Sequence, residues 1–134
     1  MTETYISKEA AILVKEKGYE QNPYKTANCY APEFTDGSNV RLVASLFHPS
    51  VNIAVAPTQS LLQKWLREKH RIEVTPYSNA SGFHWDLSKS FNKEWWSGGT
   101  HIADSSMSGP NNAGGWDVYE EALEAGLIAA LNRI

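Results

Sequence analysis

Residues 57–88, PTQSLLQKWLREKHRIEVTPYSNASGFHWDLS, change their hydrophobic period midway. In the first half Leu61, Leu62, Trp65 and Leu66 recur at helical spacing, Lys64, Arg67, Lys69 and Arg71 lie largely off that stripe, and Pro57-Thr58 suits a helix start. From Ile72 the period becomes two. Ile72, Val74 and Pro76 alternate with Glu73, Thr75 and Tyr77; past the turn Asn79-Ala80-Ser81-Gly82, Phe83, Trp85 and Leu87 alternate with His84, Asp86 and Ser88. The spacing predicts a helix followed by two antiparallel strands, with one apolar face and one wet face.

Downstream, residues 97–115 are dense in Gly, Ser and Asn around a possible short strand at Thr100–Ala103. The last eighteen residues, Asp117 to Ile134, then write an amphipathic helix. Asp117 stands three residues before Glu120, an acidic variant of the capping-box spacing. Tyr119, Ala122, Leu123, Gly126, Leu127, Ala130, Leu131 and Ile134 form one continuous face. Gly126 in the middle of that face marks close approach to a neighbour. The expected fold class is therefore α+β: an antiparallel sheet with helices packed on one face, closed by a helix-strand-strand-(strand)-helix unit over 57–134.

Upstream, residues 1–56 read as an extension. Ser7 can cap a helix over 8–17, with Ala10, Ala11, Leu13 and Val14 on its apolar face and Gly18 as its stop. Tyr19 to Asn39 reads as an ordered loop with aromatic anchors, interrupted by Pro23, Pro32 and Asp36-Gly37. Val40–Phe47 and Val51–Val55 suit two strands of a hairpin turning at His48-Pro49-Ser50. With 134 residues, 1–134 is expected to be a single domain.

Hydrophobic residues at 42% and charged residues at 20% place the chain in the globular range. A net charge of −3 excludes a strongly basic nucleic-acid binder, but the balance is uneven. Residues 1–71 carry nine Lys and Arg against seven Asp and Glu, whereas residues 72–134 carry three against eight. A polyanion would meet the first half. Cys29 is the only cysteine, so neither an intrachain disulfide nor a Cys-based zinc cluster can form within the chain. The N-terminal sequence lacks the order of a signal peptide, and no apolar run approaches the roughly 18 residues of a membrane span. A soluble, cytoplasmic chain with no membrane partner is expected.

Four groups of residues could carry chemistry. His84 and Asp86 share a strand face, with His101 and Asp104 in or beside the next strand, a set of suitable types for a metal or acid-base site. Alternation on a wet face accounts for the same residues, so no metal, cofactor or catalytic residue is assigned. Lys64, Arg67 and Arg71 in the basic run at 64–71 could face phosphates, although cations in a helix's last turn also complement its dipole. Trp95 and Trp96 beside Gly98-Gly99 could stack on a ligand. Tyr77 stands on the predicted wet face. No GxSxG, HExxH, CxxC, P-loop or EF-hand pattern is present.

ISKEAAILVKEKGYE, APTQSLLQKWLREKHRIEV and WDVYEEALEAGLIAALNRI together resemble a family of small proteins encoded by phages and mobile elements of gut Bacteroidetes. That resemblance implies an intracellular, phage-derived protein, and brings neither an activity nor functional residues. The element order from Pro57 on is also similar to double-stranded-RNA-binding domains and related small antitoxin folds. In the RNA-binding family the last helix opens with lysines that grip phosphate, where this chain has Asp117, Glu120 and Glu121. Three acids there repel a phosphate backbone. The expected function is a non-enzymatic protein-interaction module, engaging its partner through the sheet face around Glu73, Thr75, Tyr77, His84 and Asp86 or through Trp95 and Trp96. Nucleic-acid binding through Lys64, Arg67 and Arg71 is the alternative, and a metal-dependent hydrolase using His84, Asp86, His101 and Asp104 the distant one.

Overall fold

A computed structural model describes residues 4–19, 26–32, 40–46, 54–90 and 99–134. The chain divides into two compact units, one formed by Tyr5–Thr58 and the other by Gln59–Ile134 with Met1–Thr4.

In the Tyr5–Thr58 unit, helix α1 spans Lys8–Glu16, and the Ser7 hydroxyl accepts from the Ala10 amide at 3.2 Å, the capping bond expected of that residue. Gly18 takes φ +95° just past its end. Three strands follow: β1 Thr26–Pro32, β2 Val40–Leu46 and β3 Ala54–Val55. Their order, β2-β1-β3, corrects the expected hairpin, because β2 and β3 both pair antiparallel with β1 and not with each other. The segment read as loop contains the central strand. TANCYAP shows no apolar alternation and carries Asn and Pro, so it joins the sheet through its backbone ladder rather than through a pattern. The turn at His48-Pro49-Ser50 lies outside the described residues. Ile6, Ala10, Ala11, Val14, Cys29 and Ala54 are all fully buried, and the Tyr30 hydroxyl donates to the Ile6 carbonyl at 2.6 Å.

Burial also pushes the Cys29 thiol above its ordinary pKa, so the reactive thiolate is scarce as well as shielded. Ellman's reagent should leave Cys29 untouched in native protein and label it at a rate that tracks urea unfolding. Rapid labelling without denaturant would contradict the burial.

In the Gln59–Ile134 unit, α2 (Gln59–His70) leads into β4 (Ile72–Asn79), β5 (Gly82–Ser90) and β6 (Gly99–Asp104), a sheet of order β4-β5-β6 with antiparallel neighbours, and α3 (Tyr119–Leu131) closes it. The α+β class and the final helix are as the periodicity predicts. Register pairs Val74 with Leu87 and Pro76 with Trp85 on one face, and Thr75 with Asp86 and Tyr77 with His84 on the other. Gly126 of α3 rests against Val74 and Trp85, placing α3 on the apolar face. Leu62, Leu66, Leu87, Leu127 and Leu131 are fully buried, each contributing on the order of 2–3 kcal/mol by area. No helix among the described residues is long and apolar enough to cross a membrane.

Three local expectations are corrected. On α2 the buried line runs through Gln59, Leu62 and Leu66, leaving Leu61 53% exposed and Trp65 half-buried, edge-on to His70. Gln59 replaces Leu61 on that line because its amide donates to the Glu120 carbonyl at 2.9 Å, joining α2 to the first turn of α3. Asp117 is not the α3 cap. Val118 holds that position with no side-chain bond, because Trp116 and Phe83 exchange both backbone hydrogen bonds just upstream, while the Asp117 carboxylate accepts from Asn111 at 3.1 Å. Tyr119 is exposed beyond the buried stripe and meets Phe83 edge to face.

Candidate functional site

The sheet face opposite the buried one carries Glu73, Thr75, Tyr77, His84, Asp86 and, from β6, His101 and Asp104. Alternation predicts a face that is wet throughout, and at His84 it is not: the imidazole is 3% exposed. The glycine-rich segment after β6 folds back along β5, with Ser105 donating to the Trp85 carbonyl and Trp116 pairing with Phe83. Asn111 fastens it further, donating to the Ser81 carbonyl at 2.7 Å. Gly115 lies so close to the ring that a Cβ there would stand 2.8 Å from His84 Nε2.

Buried His84 is fully bonded. Nε2 lies 2.9 Å from Ser81 Oγ and 3.1 Å from Asn79 Oδ1, and Nδ1 lies 3.0 Å from Ser105 Oγ. Asn79 Oδ1 also accepts from the Ser81 amide and hydroxyl. An amide oxygen can only accept, so the proton facing it belongs to Nε2, and in the neutral ring Nδ1 accepts from the Ser105 hydroxyl. Ser105 Oγ in turn accepts from the Trp85 amide. With its proton on Nε2, the imidazole cannot take one from Ser81, and the pair is not an activated serine. His84 instead supports Tyr77, whose ring stacks on it at 5.5 Å with an interplanar angle of 18° while remaining 42% exposed.

Asp86, His101 and Asp104 form a second group further along the face, without His84. His101 Nε2 lies 2.8 Å from Asp86 Oδ1 and 3.4 Å from Asp104 Oδ2. One donor atom from each residue falls within 4.8 Å of the others. The hydrolase set predicted from sequence is therefore brought together in three of its four members.

At the basic end of α2, Lys64 lies 3.9 Å from Glu68, and Arg67 donates to Glu73 at 3.1 Å. Burial, and then the nearby Lys89 charge, hold His70 below its ordinary pKa, so it adds little positive charge at neutral pH. Arg71 links α2 to β4 with φ +57°. Two of the three cations proposed for phosphate thus already face carboxylates, which weakens their field toward a polyanion. Trp95 and Trp96 lie outside the described residues.

Reasoning from sequence missed Asn79, Ser81 and Ser105 as the partners that hold His84. A signal existed for the first two, since the Asn-x-Ser-Gly turn places them within five residues of the histidine. None existed for Ser105, which reaches His84 only through the fold-back. No protein family, curated protein or solved structure matches this chain.

Proposed function

We propose that this chain is a non-enzymatic interaction module of phage or mobile-element origin, which binds another protein through the polar face of β4-β5-β6 with Tyr77 at its centre. The observation that carries this reading is a large aromatic side chain, 42% exposed, held flat on a buried and fully bonded histidine. Such a ring loses little rotamer freedom when a partner covers it, and tyrosine is enriched among the residues that dominate binding energy. The excess of acids over bases across residues 72–134 suits a partner that presents a basic segment.

Affinity capture with the full chain as bait tests the reading, followed by calorimetry with the purified captured protein. Tyr77→Ala should abolish capture and Tyr77→Phe retain it, since the ring and not the hydroxyl carries the contact. The stability change for Tyr77→Ala should stay within about 1 kcal/mol. Equal recovery by wild type and Tyr77→Ala would remove this face as the site.

A further inference from the structure

We propose that Asp86, His101 and Asp104 bind a divalent first-row transition ion such as Zn2+ or Mn2+, through one imidazole nitrogen and two carboxylate oxygens, with water filling the remaining positions. The inference does not rest on the partner reading above.

The ladder itself sets this group apart from the ordinary polar residues of a strand. His101 and Asp104 are three residues apart, so in a regular strand they would point to opposite faces. Register pairs Asp86 with Asp104 and Leu87 with Ala103, then Ser88 with His101, so Ile102 is extra. That bulge returns His101 to the face of the two carboxylates. Bulges re-aim side chains in this way beside functional sites.

Electrostatics ask for a cation at the same place. Asp86 and Asp104 are direct cross-strand partners, and like charges so placed are destabilising. The single proton of a neutral imidazole satisfies one carboxylate at a time, whereas a divalent ion offsets both. The donor set selects the ion: calcium and magnesium favour all-oxygen shells, while mixed imidazole and carboxylate ligands suit zinc, manganese and their neighbours. Metal–ligand bonds of about 2.1 Å put ligand atoms about 3–3.4 Å apart. The separations from His101 Nε2, 2.8 and 3.4 Å, bracket that range, and all three donor atoms lie within 4.8 Å of one another. Side chains 57% (His101), 42% (Asp104) and 32% (Asp86) exposed have room to adjust and leave the ion open to water.

The experiment uses the full chain, stripped with chelator and desalted. Zn2+ is titrated in competition with a chromophoric chelator, and Mn2+ is followed by paramagnetic broadening of amide resonances. One equivalent of Zn2+ should bind, and Mn2+ should first broaden the amides of Asp86 and His101–Asp104. Calcium and magnesium should not displace either ion. Removing an outer-shell partner costs a metal site roughly tenfold in affinity, so His101→Ala should cost at least about that much. His101→Gln keeps a hydrogen-bond donor for the carboxylates but is a poor ligand, so it should preserve the fold and lose the ion. Absence of saturable binding, equal affinity in wild type and His101→Gln, or equal binding of calcium would each overturn the proposal.

Discussion

Gly126→Ala should lower stability by about 2 kcal/mol, although alanine is the better helix former. Helix propensity alone would favour the substitution by about 1 kcal/mol. Against that gain, a Cβ at this position would stand 2.8 Å from Trp85 Cβ, 2.9 Å from Val74 Cγ1 and 3.0 Å from Trp85 Cγ. Trp85 Cβ is anchored to the strand backbone and cannot swing aside, so the clash must be relieved by lifting α3 from β4 and β5. Overpacking of this kind costs up to about 3 kcal/mol, which leaves the net loss stated. Ala122, Gly126 and Ala130, spaced one turn apart, are all buried and form the small-residue line that lets the helix backbone approach the sheet. Gly126→Leu should be worse, by about 4 kcal/mol or more. Urea unfolding with an unchanged m-value measures both. A more stable Gly126→Ala variant would show that α3 does not approach the strands this closely.

The same glycine marks how much of the fold could be read in the chain. An apolar face with a gap at Gly126, and the period change after Arg71, name the α3 and β4–β5 layer because each buried residue sits where helical or strand geometry demands. β1 escaped notice because nothing in TANCYAP alternates; it is a strand by virtue of neighbours on both sides. Site residues divide along similar lines. Tyr77, His84 and Asp86 follow from alternation alone, and a one-sided wet face is what alternation implies. Two features that change their chemistry do not follow from it. The bulge that carries His101 to the carboxylates depends on ladder register, and the fold-back that buries His84 depends on backbone groups in a stretch whose composition reads as loop. Composition reports which residues can turn; it does not report which of their amides and carbonyls meet a strand.

His84→Ala should cost about 3 kcal/mol, and its effect should not add to that of Ser105→Ala. Removing the ring opens a cavity beneath Tyr77 and strands the hydroxyl of Ser105, a fully buried residue, without its acceptor. An unsatisfied buried polar group costs about 1–3 kcal/mol, before any cavity term. Ser105→Ala alone takes the partner from His84 Nδ1 and an acceptor from the Trp85 amide, for about 2 kcal/mol. Once the ring is gone, the serine has less to lose, so the double variant should fall short of the sum by about 1–2 kcal/mol. Ser81→Ala should lower stability less than Ser105→Ala, because the Ser81 hydroxyl donates to Asn79 on the exposed side of the group. Partner capture should follow the same ranking, because Tyr77 is fixed only while His84 lies beneath it. Strict additivity of His84→Ala and Ser105→Ala would mean that the two side chains do not act as one support. Capture that survived His84→Ala unchanged would mean that Tyr77 needs no support to bind.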